Sequence, residues 1–270
     1  MKLNKRVIFC NQLIRYLPQI KMLKNLLYFL FLSFATFSYA AKSDCKNDVK
    51  LENLVVIVDL SDDLDEPSSI AFKTLAGKIA KIAPPGGMLY VYDLNKISNI
   101  NSSEVTICIP AFTNLTGDKL KQRKEKEFLK IVESTFNDLS NSKNRKLSNS
   151  PIIEGIYKLT LQVFNKNGTS AKGKLLIISD LEQNTNLISF YKSGIPVYKD
   201  WQSTSESKAW TVSMPSVKFT SIIIQRAQKN PKVNLEKLRD FWLDYAGNNF
   251  QKCGFMGLNQ AAVELKYECN

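Results

Sequence analysis

The chain has 270 residues, 44 % hydrophobic and 23 % charged, with a formal net charge of +12, five cysteines and no histidine. That composition belongs to a globular protein and excludes collagen-like, low-complexity and fully disordered classes. Without histidine, no Ser-His-Asp or Cys-His catalytic unit can form, nor any zinc site built on imidazole.

Residues 1–40 carry Lys2, Lys5, Arg6, Arg15, Lys21 and Lys24 and no acidic residue. Met22 to Asn25 precede an apolar run, Leu26 to Phe37, which is followed by Ser38-Tyr39-Ala40. This is a basic n-region, a short h-region and small residues at the −3 and −1 positions of a cut after Ala40. The run falls short of the ~20 apolar residues a membrane span needs. Residues 1–40 are therefore expected to be a signal peptide, with Met22 as an alternative start. The protein is expected to be periplasmic or secreted, with membrane contact only through an uncleaved leader. No lipobox precedes Cys45. Residues 41–270 then form a single domain of net charge +6 with four cysteines, Cys45, Cys108, Cys253 and Cys269. In an oxidising compartment these make two disulfides, in one of three pairings.

Leu54 to Val58 reads as a strand buried on both faces, ending in Asp59. Phe72, Leu75, Ala76, Ile79 and Ala83 follow at helical spacing until Pro84-Pro85-Gly86-Gly87. Met88 to Tyr92 and Val105 to Ile109 are the next strands. Lys119, Lys121, Arg123, Lys124, Lys126 and Lys130, against Glu125 and Glu127, open a helix whose apolar face is Phe128, Ile131, Val132, Phe136 and Leu139. No aromatic residue interleaves with these cations, so they read as a solvated helix face, and no nucleic acid is expected as a partner. Ser150-Pro151 opens a third helix, Ser150 as N-cap and Pro151 at the first helical position. Leu175 to Ile178 is another buried strand, running into Ser179-Asp180. Ile195 to Tyr198 and Phe219 to Ile224 read as strands, while Trp201 to Ser216, with Trp201 and Trp210, reads as a loop or hairpin. Leu235, Leu238, Trp242 and Tyr245 mark a last helix ending near Gly247. The fold class is α/β: a doubly wound, mostly parallel sheet with helices on both faces and one antiparallel strand.

In such a sheet, ligands bind beyond the carboxyl ends of the strands, where the strand order reverses. Asp59, Ser61 and Asp63 follow one strand, Asp180 ends another, and Ser150 enters a helix. An all-oxygen set of this kind suits Mg²⁺, with Mn²⁺ or Ca²⁺ as alternatives. The plainer reading gives each of these residues a turn or capping role.

Asp59-Leu60-Ser61-Asp62-Asp63, Ser150 and Asp180 resemble the von Willebrand factor A (integrin I-type) domain and its metal-ion-dependent adhesion site. Asp59 and Ser61 match the first two positions of that motif, Asp63 stands where a Ser belongs, Ser150 (or Ser148) where a Thr belongs, and Asp180 matches the last Asp. The resemblance implies hydroxyls on the metal and Asp residues acting mostly through water. It also implies an acidic group of a partner completing the shell, and Asp63 for Ser adds a negative charge that would repel such a partner. The expectation is an exported, non-enzymatic protein-binding module. Alternatives are a Mg²⁺-dependent phosphoesterase on the same carboxylates, or a degenerate domain acting as a scaffold in a periplasmic assembly. Dehalogenase, dinucleotide and P-loop readings fail: Ser61 replaces a needed Asp, and no glycine lies between Asp59 and Pro67.

Overall fold

The computed structural model describes residues 51–61, 63–99, 105–141, 149–165, 171–225 and 233–266. The expected leader, Cys45, Cys269 and Ser148 lie outside these residues.

Six strands form one sheet: β1 (Asn53–Val58), β2 (Met88–Asp93), β3 (Val105–Cys108), β4 (Gly173–Ser179), β5 (Met214–Ile223) and β6 (Phe250–Gly257). Their order is β3-β2-β1-β4-β5-β6. All neighbours are parallel except β2 with β3. The order reverses between β1 and β4, which puts the switch point of the winding at the carboxyl ends of those two strands. Seven α-helices stand among the described residues: α1 (Glu66–Ile82), α2 (Asp118–Asn141), α3 (Ile152–Phe164), α4 (Tyr198–Gln202), α5 (Ser205–Trp210), α6 (Leu235–Asn249) and α7 (Leu258–Val263).

The central strands are buried on both faces because each face carries its own apolar layer. Val55 and Ile57 of β1 and Leu175 and Ile177 of β4 point toward α3, α4 and α6. Leu54, Val56 and Val58, with Leu176 and Ile178, point toward α1, α2 and α7. Successive residues of a strand face opposite ways, so a continuous aliphatic run is what a three-layer arrangement requires. Gly173 allows the close approach at the foot of β4: a Cβ there would meet Phe164 at 2.1 Å and the Asn53 carbonyl oxygen at 2.8 Å.

The expected class is met, including the single antiparallel strand, and four local expectations need correction. Ile195 to Tyr198 is not a strand but irregular chain leading into α4. The segment after it is no hairpin: α4 and α5 fill it, with Trp201 buried and Trp210 edge-on to Tyr157 at 5.4 Å. The last helix runs through Gly247 to Asn249, and β6 and α7 follow it. Pro151, not Ser150, occupies the N-cap position of α3, with no side-chain cap of its own.

Cys108 and Cys253 stand on β3 and β6, the two opposite edge strands of the sheet. Five strand spacings separate them, about 24 Å, whereas disulfide-bonded Cα atoms lie within about 7 Å. Pairing of these two with each other is excluded, which reduces the three expected connectivities to two.

Candidate functional site at the carboxyl edge of the sheet

Asp59 leaves β1 still hydrogen-bonded to β4, its N–H donating to the Ile178 carbonyl at 2.8 Å. The alternation of β1 turns its side chain toward the α3 layer, and it is fully buried. Three groups converge on the carboxylate. The Ser61 N–H donates to Oδ1 at 3.2 Å, and the Ser150 and Ser179 hydroxyls both donate to Oδ2, at 2.5 and 2.9 Å. Ser179 also accepts from the Leu181 N–H at 2.9 Å, so its hydroxyl links Asp59 to the loop beyond β4.

Asp180 is buried next to Ser179 and accepts from the Glu182 N–H at 3.1 Å. Asp93, at the end of β2, does the same with the Asn95 N–H at 3.1 Å. Three strand-end Asp residues thus share one local task, accepting the N–H two residues on, as Asx turns do. Asp59 in addition receives two hydroxyls from distant segments. Asp63 is exposed, and among the described residues no three His, Cys, Asp or Glu side chains come together in a group able to hold a metal. Asp65 rather than Ser61 or Asp63 caps α1, accepting from Ser68 N–H at 2.9 Å. Those bonds from Ser68 lower the Asp65 carboxyl below its ordinary range.

Ser150 is free to reach Asp59 because another residue caps α3. Gln183, fully buried in the loop after β4, accepts from the Ile153 N–H at 2.9 Å. Its amide nitrogen donates to Glu154 at 2.8 Å and to Thr185 at 3.0 Å. Thr185 in turn donates to the other Glu154 oxygen at 2.6 Å. Ser150 and Asn184 exchange backbone hydrogen bonds of 2.9 and 3.0 Å, which fasten the loop to the entrance of α3. Below this network, burial and then the nearby Tyr198 and Glu154 push the Tyr245 phenol far above its ordinary value, so it stays neutral.

Of the five residues singled out from the sequence, Asp59, Ser61 and Ser150 are joined by hydrogen bonds, Asp180 adjoins them through Ser179, and Asp63 stands apart. Ser179 and Gln183 were not foreseen. The position of Ser179 before Asp180 on a buried strand, two residues from Ile177 and so on the face of Asp59, was the available signal. Gln183 gave none, because its partner lies 30 residues away.

No protein-family profile matches the chain, and no curated protein matches it. Solved structures do. An aerotolerance-related membrane protein from Bacteroides fragilis, bearing multiple mutations to serine, aligns over 79 % of this chain and 96 % of its own, at 10 % identity and a TM-score of 0.36. The human COPII-coat protein Sec24c aligns over 77 % of this chain and 29 % of its own, at 7 % identity and a TM-score of 0.34. Among the described residues no helix is long and apolar enough to cross a membrane.

Proposed function

We propose that the protein is an exported, von Willebrand A-like binding module that takes a protein partner at the Asp59 edge, in a divalent-cation-dependent manner. One observation carries this reading: a fully buried carboxylate at the switch point of the winding, held by hydroxyls from two separate segments. A turn residue needs only its local N–H; two imported hydroxyls make a preorganised oxygen cluster. The donors are all oxygen, which fits Mg²⁺ and, secondarily, Mn²⁺ or Ca²⁺. Asp59, Ser61, Ser150 and Asp180 would hold the ion, which would supply a positive charge for an acidic group of the partner. Asp63, exposed at the rim, would tune that encounter by charge rather than ligate. We read the protein as non-enzymatic, since among the described residues no general base or phosphate clamp accompanies the carboxylates.

Thermal melting in EDTA, Mg²⁺ and Mn²⁺ tests the reading. A ligand bound only to the native state at a hundred times its Kd stabilises by about 2.7 kcal/mol. For a domain of this size that raises the Tm by about 5–10 °C. The increment is expected in the parent and absent in Asp59→Ala. Identical melting of the parent in all three conditions ends the cation-dependent reading. Phosphodiester turnover that disappears in Asp59→Ala would replace it with the phosphoesterase.

A further inference from the structure

We propose that the end of the domain opposite Asp59 rests on an anionic phospholipid surface, with the N-terminal half of α2 and the turn before it as the contact. This goes beyond the partner site at Asp59 and does not depend on it. In α2 every residue from Asp118 to Glu127 is exposed, and burial begins only at Phe128. About 15 Å of helix therefore runs along the surface without packing on the core. An amphipathic helix that merely solvates one face would bury a residue in each turn; these turns bury none.

Lys119, Arg123, Lys126 and Lys130 recur at spacings of four, three and four and so form one exposed stripe. Lys119 and Lys121 also stand in the first turn, at the positive end of the helix dipole, where cations are unfavourable, and Arg123 and Lys124 follow in the second. Local stability would place acids there, as it does with Asp118. A sequence that keeps cations at such a position, against its own helix, points to a requirement outside the fold.

The turn before α2 adds an apolar element. Leu115 is 95 % exposed. It is held there by a closed turn, in which Thr116 N–H donates to the Thr113 carbonyl at 3.0 Å and Thr113 N–H donates to Thr116 Oγ1 at 3.1 Å. A fixed, exposed leucine flanked by lysine and arginine is the pattern that enters a headgroup layer, the apolar tip below and the cations at the phosphates.

The chain also enters the domain at this end. A Cβ on Gly86 would meet Ala111 at 3.4 Å and Leu51 at 3.7 Å, so Leu51 lies beside the loop that leads to Leu115. Leu51 follows the apolar run ending at Phe37 by fourteen residues. Leu51, the first described residue, is thus at the same end as the cations, and a domain resting on that end turns Asp59 away from the lipid.

Vesicle flotation of the whole protein tests this. Binding to mixed phosphatidylglycerol–phosphatidylcholine vesicles at low salt is expected to exceed binding to pure phosphatidylcholine by about ten-fold or more. High salt should abolish the difference. Lys119→Glu with Arg123→Glu and Lys126→Glu should lose about ten-fold of the binding to the mixed vesicles; Leu115→Ser should weaken it without changing its salt dependence. Lys119→Glu complements the helix dipole, and Arg123→Glu gives up only an exposed 3.8 Å contact with Glu127, so the fold is kept, which a melting curve verifies. Any lipid affinity of residues 1–40 is common to parent and variant and cancels in their ratio. Equal binding to both vesicle types overturns the proposal, and so does a charge-reversed protein that binds like the parent. Absence of vesicle binding, the outcome expected of a stripe that serves an acidic protein, overturns it as well.

Discussion

Replacing Trp242 with alanine is expected to lower stability by about 3–5 kcal/mol, the range for deleting a large aromatic ring from a core. Trp242 is fully buried on α6, edge-on to Phe241 at 5.5 Å and to Tyr245 at 5.3 Å. It also reaches the candidate site. Its indole N–H donates to the Leu181 carbonyl at 2.9 Å, and Leu181 is the only non-glycine among the described residues with positive φ, at 64°. A left-handed leucine costs about 1–2 kcal/mol, so its surroundings must hold it there. Trp242→Phe separates the two roles: a ring remains, while the buried carbonyl loses its donor at a cost of about 1–3 kcal/mol. Urea unfolding measures the global loss, and amide exchange at Leu181 and Glu182 measures the local one. The phenylalanine variant should speed exchange at those two amides beyond what its global loss explains. A Trp242→Ala protein within about 1 kcal/mol of the parent would remove Trp242 from the core that fixes the loop.

The layered sheet was legible because its signals are local. An aliphatic run such as Leu54 to Val58 can only be buried on both sides, and Pro84-Pro85-Gly86-Gly87 can only end a helix. The same logic misread Ile195 to Tyr198, where a short apolar run leads into a helix that a wall of aromatic rings stabilises: Tyr198 packs edge-on to Phe241 and Tyr245 at 5.5 and 5.9 Å. β6 escaped notice because Gln251, Lys252 and Gly254 interrupt its pattern, and a register irregularity lies between Phe219 and Thr220 of its partner.

The site was legible by residue type and not by partner. Asp59 and Asp180 could be placed at the strand ends, since strand termini and winding order fix that edge. What each serine does there is a matter of contacts 91 and 120 residues apart in sequence, Ser150 and Ser179 both reaching Asp59. Local propensity assigns Ser150 to the cap of α3, whereas Pro151 stands at that position and Gln183 takes the Ile153 N–H. With the Ile153 N–H taken by an amide that belongs to neither strand end, the Ser150 hydroxyl goes to Asp59.

Gln183→Leu, similar in size, should destabilise by about 2–4 kcal/mol, because it leaves the Ile153 N–H without an acceptor and takes the amide donor from one Glu154 oxygen, Thr185 still serving the other. Gln183→Glu keeps the acceptor for Ile153 but sets a second carboxylate against Glu154, where the amide nitrogen now lies at 2.8 Å. Like charges that close cannot both remain ionised without cost, so the folded pair retains a proton at a pH where the unfolded chain has released it. The sign of the pH dependence follows. Below about pH 4, where an unfolded glutamate is protonated, the charge penalty is absent; it grows as pH rises past that value. The α3 dipole, whose positive end faces the new carboxylate, offsets part of the penalty and leaves its direction unchanged. Urea midpoints for parent, Gln183→Leu and Gln183→Glu at acidic and neutral pH separate the contributions. The leucine variant should show a nearly constant deficit, and the glutamate variant one that shrinks on acidification. A glutamate variant equally weakened at both pH values would mean that Gln183 acts by its shape alone, and that Ser150 owes its position at Asp59 to the backbone pairing with Asn184.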